Sequence, residues 1–432
     1  MKLGIVLAIL GVLLFIGSIL FISNKRSTYL LFLAYFLPFV DLWLTPSSYG
    51  NLSVFDGITI IAGILFFRDI TTLNRGNRFY VITAVIFIVL IVLGSIASQF
   101  KLWSLLHLPP IITPFIYGAI LLRELKENDD FLHQLIKAIK VSAWVGIFFM
   151  VMQLAVGISF THYEGLNPNV IDGDGFRYPG FFMDTQGNGA FMAFASILFL
   201  INFYDPANPK FSNYWQFAVM ALGVVLAGSR SPMMGLGVAL VFLTIFIGGN
   251  FRPVFISVLA GIAILALVFQ DYIPIFNRFT QLNDSLSFRA AIWADAWKIY
   301  YQEYLLGIGT ENYQQYIMIH SQDQFLLLDN DEISYLMQPE NGYLKWLVEF
   351  GFFGTALLFS LILAPIIKVM GNFFNGKKIV TQFFFIAPII VWLISFSSLY
   401  NLYDKRLAML LVTFCVILIC YPKDFIFEHE EQ

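Results

Sequence analysis

The sequence predicts an all-α polytopic membrane protein, and three observations carry that prediction. Hydrophobic residues make up 59% of the 432 positions and charged residues only 12%, about half the charged fraction of a soluble domain. The apolar residues are gathered in runs of spanning length. Short loops rich in Lys and Arg separate many of those runs.

A membrane-spanning helix needs roughly 17–25 mostly apolar residues. On that rule the chain holds about 12–13 spans: 3–22, 28–45, 52–67, 79–97, 104–122, 139–160, 181–202, 214–229, 231–248, 253–270, 345–368, 380–398 and 407–421. The first lacks a small-residue cleavage site and is followed by Asn24-Lys25-Arg26, so it reads as an uncleaved helix. Four regions follow: N-terminal spans over 1–160, central helices with polar connections over 161–270, a large polar segment over 271–344, and C-terminal spans over 345–432. No fixed-period repeat is visible.

Orientation follows from the basic residues of alternate loops. One set holds Lys25, Arg26, Arg68, Arg75, Arg78, Arg123, Lys126, Lys137, Lys140, Lys210, Arg252, Lys368, Lys377 and Lys378, and is predicted to be cytoplasmic. The other has few: Lys101, Arg177, Arg230, Lys405 and Arg406. The polar stretches 161–180 and 271–344 then share the outer face. The net charge of -3 is spread over short loops, so no nucleic-acid surface is expected. Cys415 and Cys420 both lie in the last apolar run and read as buried small residues, not as a disulfide, zinc ligands or a nucleophile.

An arginine at the centre of a membrane helix costs roughly 2.5–3.5 kcal/mol, and guanidinium cannot escape by losing its proton. Arg230 avoids the centre. Gly228, Ser229, Ser231 and Pro232 around it mark a tight turn between two helices, with Pro232 suited to the first turn of the second. In the long outer segment, Phe288, Ile292, Ala296, Tyr300 and Tyr304 keep helical spacing. A surface helix is expected over 285–304, capped by Asp284 or Ser285 and broken by Gly307 and Gly309. Arg177, Arg230 and Arg289 thus gather at one membrane boundary. Their planar forks suit the oxygens of a phosphate or diphosphate.

Four stretches, GFRYPGFFMDTQGNGAF (175–191), LAGSRSPMMGL (226–236), FRAAIWADAWKIYYQEYLLGIGTENY (288–313) and PENGYLKWLVEFGFFG (339–354), stand in an order and spacing that resembles the O-antigen ligase and polymerase superfamily. The resemblance covers roughly 175–360. It implies a bacterial glycosyltransferase of the cytoplasmic membrane. An undecaprenyl-diphosphate-linked glycan is the donor and a second glycan the acceptor, at the outer face of the bilayer, with no metal or cofactor. Arg177 and Arg230 match the family's arginines that hold the diphosphate, and Arg289, a further candidate for the donor site, matches the arginine that opens the outer helix. Asn188 matches a family asparagine, and Asn341 the second residue of a His-Asn pair. The histidine position holds Glu340. A carboxylate can accept a hydroxyl proton, so Glu340 is the expected general base. His320, Asp323, Asp329 and Asp331 are competitors in the same segment.

The Glu-for-His departure favours a polymerase over a ligase. A chain-length regulator is the partner that reading implies. A flippase is the competing class, and neither a repeat nor midplane charges speak for it. The acidic stretches 172–175 and 329–331 read as exposed turns and not as metal sites. Asp184 and Gln186 are polar residues at the start of a span. Trp293, Trp297, Tyr300, Tyr301 and Tyr313 read as an interfacial aromatic belt, with sugar stacking as the alternative.

Overall fold

The computed structural model describes residues 25–45, 49–68, 77–161, 171–172, 175–182, 184–201, 209–247, 252–253, 256, 282–320, 325–327, 333–335, 339–377, 379–398 and 404–421. The spans expected over 3–22 and, almost entirely, 253–270 lie outside those residues.

The described chain is helical, with two small antiparallel ladders: β1 (Ile171–Asp172) with β2 (Gly175–Phe176), and β3 (Phe325–Leu327) with β4 (Ile333–Tyr335). The run at 28–45 gives only α1 (Arg26–Tyr35) and then a 3-10 turn over Leu37–Phe39. Pro38 brings no N–H and stops the α-helix. Next comes α2 (Val54–Leu65), which starts in a capping box between Ser53 and Asp56. A long helix, α3 (Arg78–Ala97), follows. The run at 104–122 splits into α4 (Lys101–Leu106) and α5 (Pro109–Glu127), because Pro109 and Pro110 bring no N–H to continue the hydrogen bonds of the first helix. The centre of the chain holds α6 (Phe131–Val156), α7 (Thr185–Phe199), α8 (Phe211–Leu226) and α9 (Arg230–Phe246). The polar segment supplies α10 (Leu282–Gln302) and α11 (Tyr313–His320), and the last helices are α12 (Gly342–Phe374), α13 (Phe383–Phe396) and α14 (Lys405–Cys420).

Among the described residues four helical stretches can cross a membrane by length and composition: Arg78–Ala97, Lys101–Glu127, Phe131–Val156 and Gly342–Phe374. Several of the other expected spans fold as shorter apolar helices, among them α2, α8, α9 and α13. At the centre is α7, buried from Gly187 to Phe199 between α6, α8, α9 and α13. Small residues permit this close approach. A Cβ on Gly146 would lie 2.6 Å from the Met192 methyl, and one on Gly223 would lie 3.1 Å from Met192 Cγ. The outward rows are apolar instead: Ile82, Ile86, Val89, Leu93 and Ile96 of α3 are all exposed. That reversal suits a lipid surround.

The outer helix differs from its expected bounds. It begins at Leu282, so Asp284 and Ser285 fall inside its first turn and do not cap it. It ends at Gln302, and Gly307 and Gly309 serve a different purpose. Helix α12 breaks at Gly351, whose φ is 65° and ψ -174°. The segment 304–309 closes the break. Phe352 N donates to Tyr304 O at 2.8 Å, Ile308 N to Val348 O at 2.9 Å, and Gly309 N to Glu349 O at 3.1 Å. A Cβ on Gly307 (φ 74°) would overlap the Glu349 carbonyl, and one on Gly351 the Leu305 carbonyl. Glycine is required at both positions.

Beside this clasp Ala296 and Ile299 of α10 are buried in one cluster with Leu344 and Val348 of α12. Lys345 is wholly buried, with Nζ 2.8 Å from Glu311 Oε1 and 3.6 Å from Glu349 Oε1. Burial raises the Tyr313 phenol well above its usual value, and nearby Asp295 and Glu349 add to this, so the ring stays neutral in the same cluster.

Gly307→Ala should lower the thermal midpoint in detergent more than Gly376→Ala. Gly376 has φ 77° but nothing within 4 Å of its Cβ position. Only the left-handed backbone cost, about 1–2 kcal/mol, applies there. Equal losses would mean that the clasp contributes nothing.

Candidate functional site

The starts of α5, α7, α9, α12 and α14 and the ends of α6, α8 and α13 meet at one end of the bundle. Two groups of sequence-predicted residues lie there.

The first is built on the turn between α8 and α9. Gly228 takes φ 64°, Ser229 is extended at φ -103°, and Arg230 opens α9 half-buried. The strap 177–182 lies against this turn. Tyr178 N donates to Leu226 O at 3.1 Å, and a Cβ on Gly228 would lie 2.9 Å from Arg177 Cγ. The Arg177 stem therefore crosses the turn that presents Arg230, and Arg177 is only 8% exposed. The strap is fixed from below. Gln153 holds Gly180 through both ends of its amide, donating from Nε2 to the carbonyl at 2.9 Å and accepting from the N–H at 2.8 Å. Asn188 Nδ2 donates to Tyr178 O at 3.1 Å and meets Met150 Sδ at 3.1 Å. Asn188 is buried, and these contacts make it a brace for the strap. Asp184 caps α7, accepting from Gln186 N at 3.0 Å and Gly187 N at 2.9 Å.

The second group joins α10 to the start of α12. Arg289 Nε donates to Glu340 Oε2 at 2.7 Å, and Trp293 Nε1 donates to Pro339 O at 3.0 Å. Asn341 is the N-cap of α12, accepting from Tyr343 N at 3.1 Å and Leu344 N at 3.2 Å. Glu340 has φ 46°, a conformation that side chains other than glycine's rarely hold. Trp297 and Tyr301 are exposed, while Tyr313 is buried. The His320 side chain and Asp323, Asp329 and Asp331 lie outside the described residues, as do most of 161–174 and all of 271–281.

The end of α13 links the two groups. Phe396 packs where a Gly342 side chain would be, the Tyr343 hydroxyl donates to Leu393 O, and the Ser398 and Ser231 hydroxyls are in contact. Ser231 follows Arg230 and Gly342 follows Asn341. The arginine turn and the Glu340-Asn341 pair are thus neighbours of one helix end.

A third group was not singled out from the sequence. Lys405 and Arg406 were counted there only as loop charges, yet both are buried. Lys405 Nζ is 3.3 Å from Asp56 Oδ1 and donates to Pro110 O. Asp56 also accepts from Thr113 and from Ser53 N at 2.9 Å. Arg406 donates to Asp404 at 2.8 Å and 3.0 Å and to Asp41 at 3.3 Å. Its guanidinium also stacks 3.5 Å over the Phe182 ring, at the end of the strap. The visible signal was the charge run Asp404-Lys405-Arg406 directly before an apolar span, with Asp56 inside another. Among the described residues no group of three or more His, Cys, Asp or Glu could hold a metal ion.

A family model described as O-Antigen ligase matches residues 215–359. That stretch holds the Arg230 turn, α10 with Arg289, and Glu340-Asn341. The match supports the O-antigen ligase and polymerase superfamily and, with the apolar helices, a membrane glycan-processing enzyme of that type. No curated protein matches the chain.

The Arg289–Glu340 pair is partly exposed, at 22% and 28%, where such pairs contribute about 0–1 kcal/mol. Asparagine tolerates a left-handed backbone better than glutamate does. Glu340→Asn should therefore leave the unfolding free energy within about 1 kcal/mol of the native value. Asn341→Ala, which removes a cap, should cost about 1 kcal/mol, and Asn341→Asp should restore it. Denaturant titration in detergent reads both. A loss well above 1 kcal/mol for Glu340→Asn would give the pair a structural role.

Proposed function

We propose that the chain is a polymerase of the bacterial cytoplasmic membrane. It joins undecaprenyl-diphosphate-linked oligosaccharide repeat units into O-antigen, capsular or exopolysaccharide. The site faces the periplasm or the cell exterior. The observation that carries the reading is the convergence of Arg177 and Arg230 on one turn, with Asn188 bracing the strap between them. Two arginines carried on one turn at a helix start suit a diphosphate.

In this reading an acceptor hydroxyl oxygen attacks the anomeric carbon of the donor. A new glycosidic C–O bond forms, the C–O bond to the diphosphate breaks, and its electron pair leaves on the lipid diphosphate. Arg177 and Arg230 stabilise that developing charge. The hydroxyl proton passes to Glu340 through Oε1, since Oε2 is engaged by Arg289. Arg289 orients the carboxylate and faces the donor from the α10 side. The Arg406 network positions the strap through Phe182. No step needs a metal or a cofactor. A chain-length regulator is the partner for such an enzyme.

The ligase reading shares the donor chemistry and differs in its acceptor, and the family match carries the ligase description. Purified protein in nanodiscs with lipid-linked repeat units and EDTA separates the two. A ladder of longer lipid-linked glycans is expected. Transfer only after a lipid A core acceptor is added would make it a ligase. Lipid-linked glycan crossing the bilayer without either product would make it a transporter.

Removing one preorganised donor costs about 10²–10³ in rate. Arg230→Ala and Arg230→Lys should both lose activity on that scale while keeping the native thermal midpoint. Full activity in both variants would remove the arginine from the mechanism.

A further inference from the structure

At the opposite end of the bundle lies a cavity of about 440 Å³. Lys25, Arg26 and Ser27 line it from the start of α1, Leu65, Phe66 and Arg68 from the end of α2, and Glu124 from α5. Among these described residues three side chains are cationic and one is a carboxylate. Both oxygens of that carboxylate are engaged, Oε2 by Arg26 Nε at 3.2 Å and Oε1 by Asn128 Nδ2 at 3.2 Å. Arg26 also reaches Glu127. The acid is thus covered by its own partners, and among the described lining residues the cationic side chains outnumber it.

Two sequence neighbours of the lining residues at the end of α2 form an exposed apolar rim there. Ile64 is 73% exposed and Phe67 is 66% exposed, beside Leu65, Phe66 and Arg68. A free anion would gain nothing from such a rim. An anion that carries acyl chains would lay them along it. The volume is within the range of small-ligand sites, and basic pockets between membrane helices suit lipid head groups.

We infer that this cavity binds the phosphodiester headgroup of an anionic phospholipid, in the leaflet opposite the candidate glycosyl-transfer site. Lys25 and Arg68 contact the phosphate, Ser27 offers a hydroxyl, and Arg26 stays with Glu124. The acyl chains follow Ile64 and Phe67. The inference is independent of the glycosyl-transfer reading.

Native mass spectrometry of the delipidated full chain tests it, with dioleoylphosphatidylglycerol, dioleoylphosphatidylcholine and inorganic phosphate as probes. The native chain should bind the glycerol lipid about tenfold or more tighter than the choline lipid. The Lys25→Ala/Arg68→Ala variant should bring the two within about twofold. Lys377→Ala, at an exposed lysine beyond α12, should leave the preference intact. Equal binding of the two lipids by the native chain would overturn the inference, even if the double variant failed to fold. So would an unchanged preference in a folded double variant, an equal loss in Lys377→Ala, or inorganic phosphate displacing the glycerol lipid at equal concentration.

Discussion

The structure depends on a hydrogen-bond exchange at Gly351. In an unbroken helix Phe352 N would donate to Val348 O. Here Phe352 N turns to Tyr304, and Val348 and Glu349 accept from Ile308 and Gly309. A break in an apolar helix is tolerated only where other protein groups satisfy the freed backbone. The polar segment supplies those groups, so it is joined to α12 by main chain as well as by side chains. Lys345 adds a charged tie between the same two pieces. Burying it costs solvation, which the hydrogen-bonded Glu311 carboxylate offsets.

This joint gives α10 its direction. With Ala296 and Ile299 packed on α12, Arg289 and Trp293 fall beside the start of α12, where Glu340 and Pro339 receive them. Glu340 is held in a left-handed backbone between this contact and the Asn341 cap. Strain of that kind persists when the surroundings over-determine it, and it clusters at functional sites.

The arginine turn is fixed by a different route. Buried α7 brings Asn188 under the strap, and Gln153 of α6 holds Gly180. The Asp404–Lys405–Arg406 start of α14 closes the far side through Phe182 and the Asp56 corner. Each of these polar groups is buried with partners, which is the condition for keeping them there. The end of α13 touches both assemblies, so a shift in α13 would move the arginines and Glu340 together.

The sequence by itself determined the helical class, the places of most helices, the turn that presents Arg230 and the helix that carries Arg289. Hydropathy runs, 3.6-residue spacing and the Gly–Ser–Pro chemistry of a turn are local signals. Tertiary structure alone decided the rest. Asn188 and Asn341 became a brace and a cap because of what lies beside them. Glu340 acquired Arg289 from 51 residues away, and Lys405 acquired Asp41 from 364 residues away. Gly351 reads locally as one more residue of an apolar run. It breaks the helix because a distant segment offers the hydrogen bonds that make the break stable, and no local pattern encodes a partner so far along the chain.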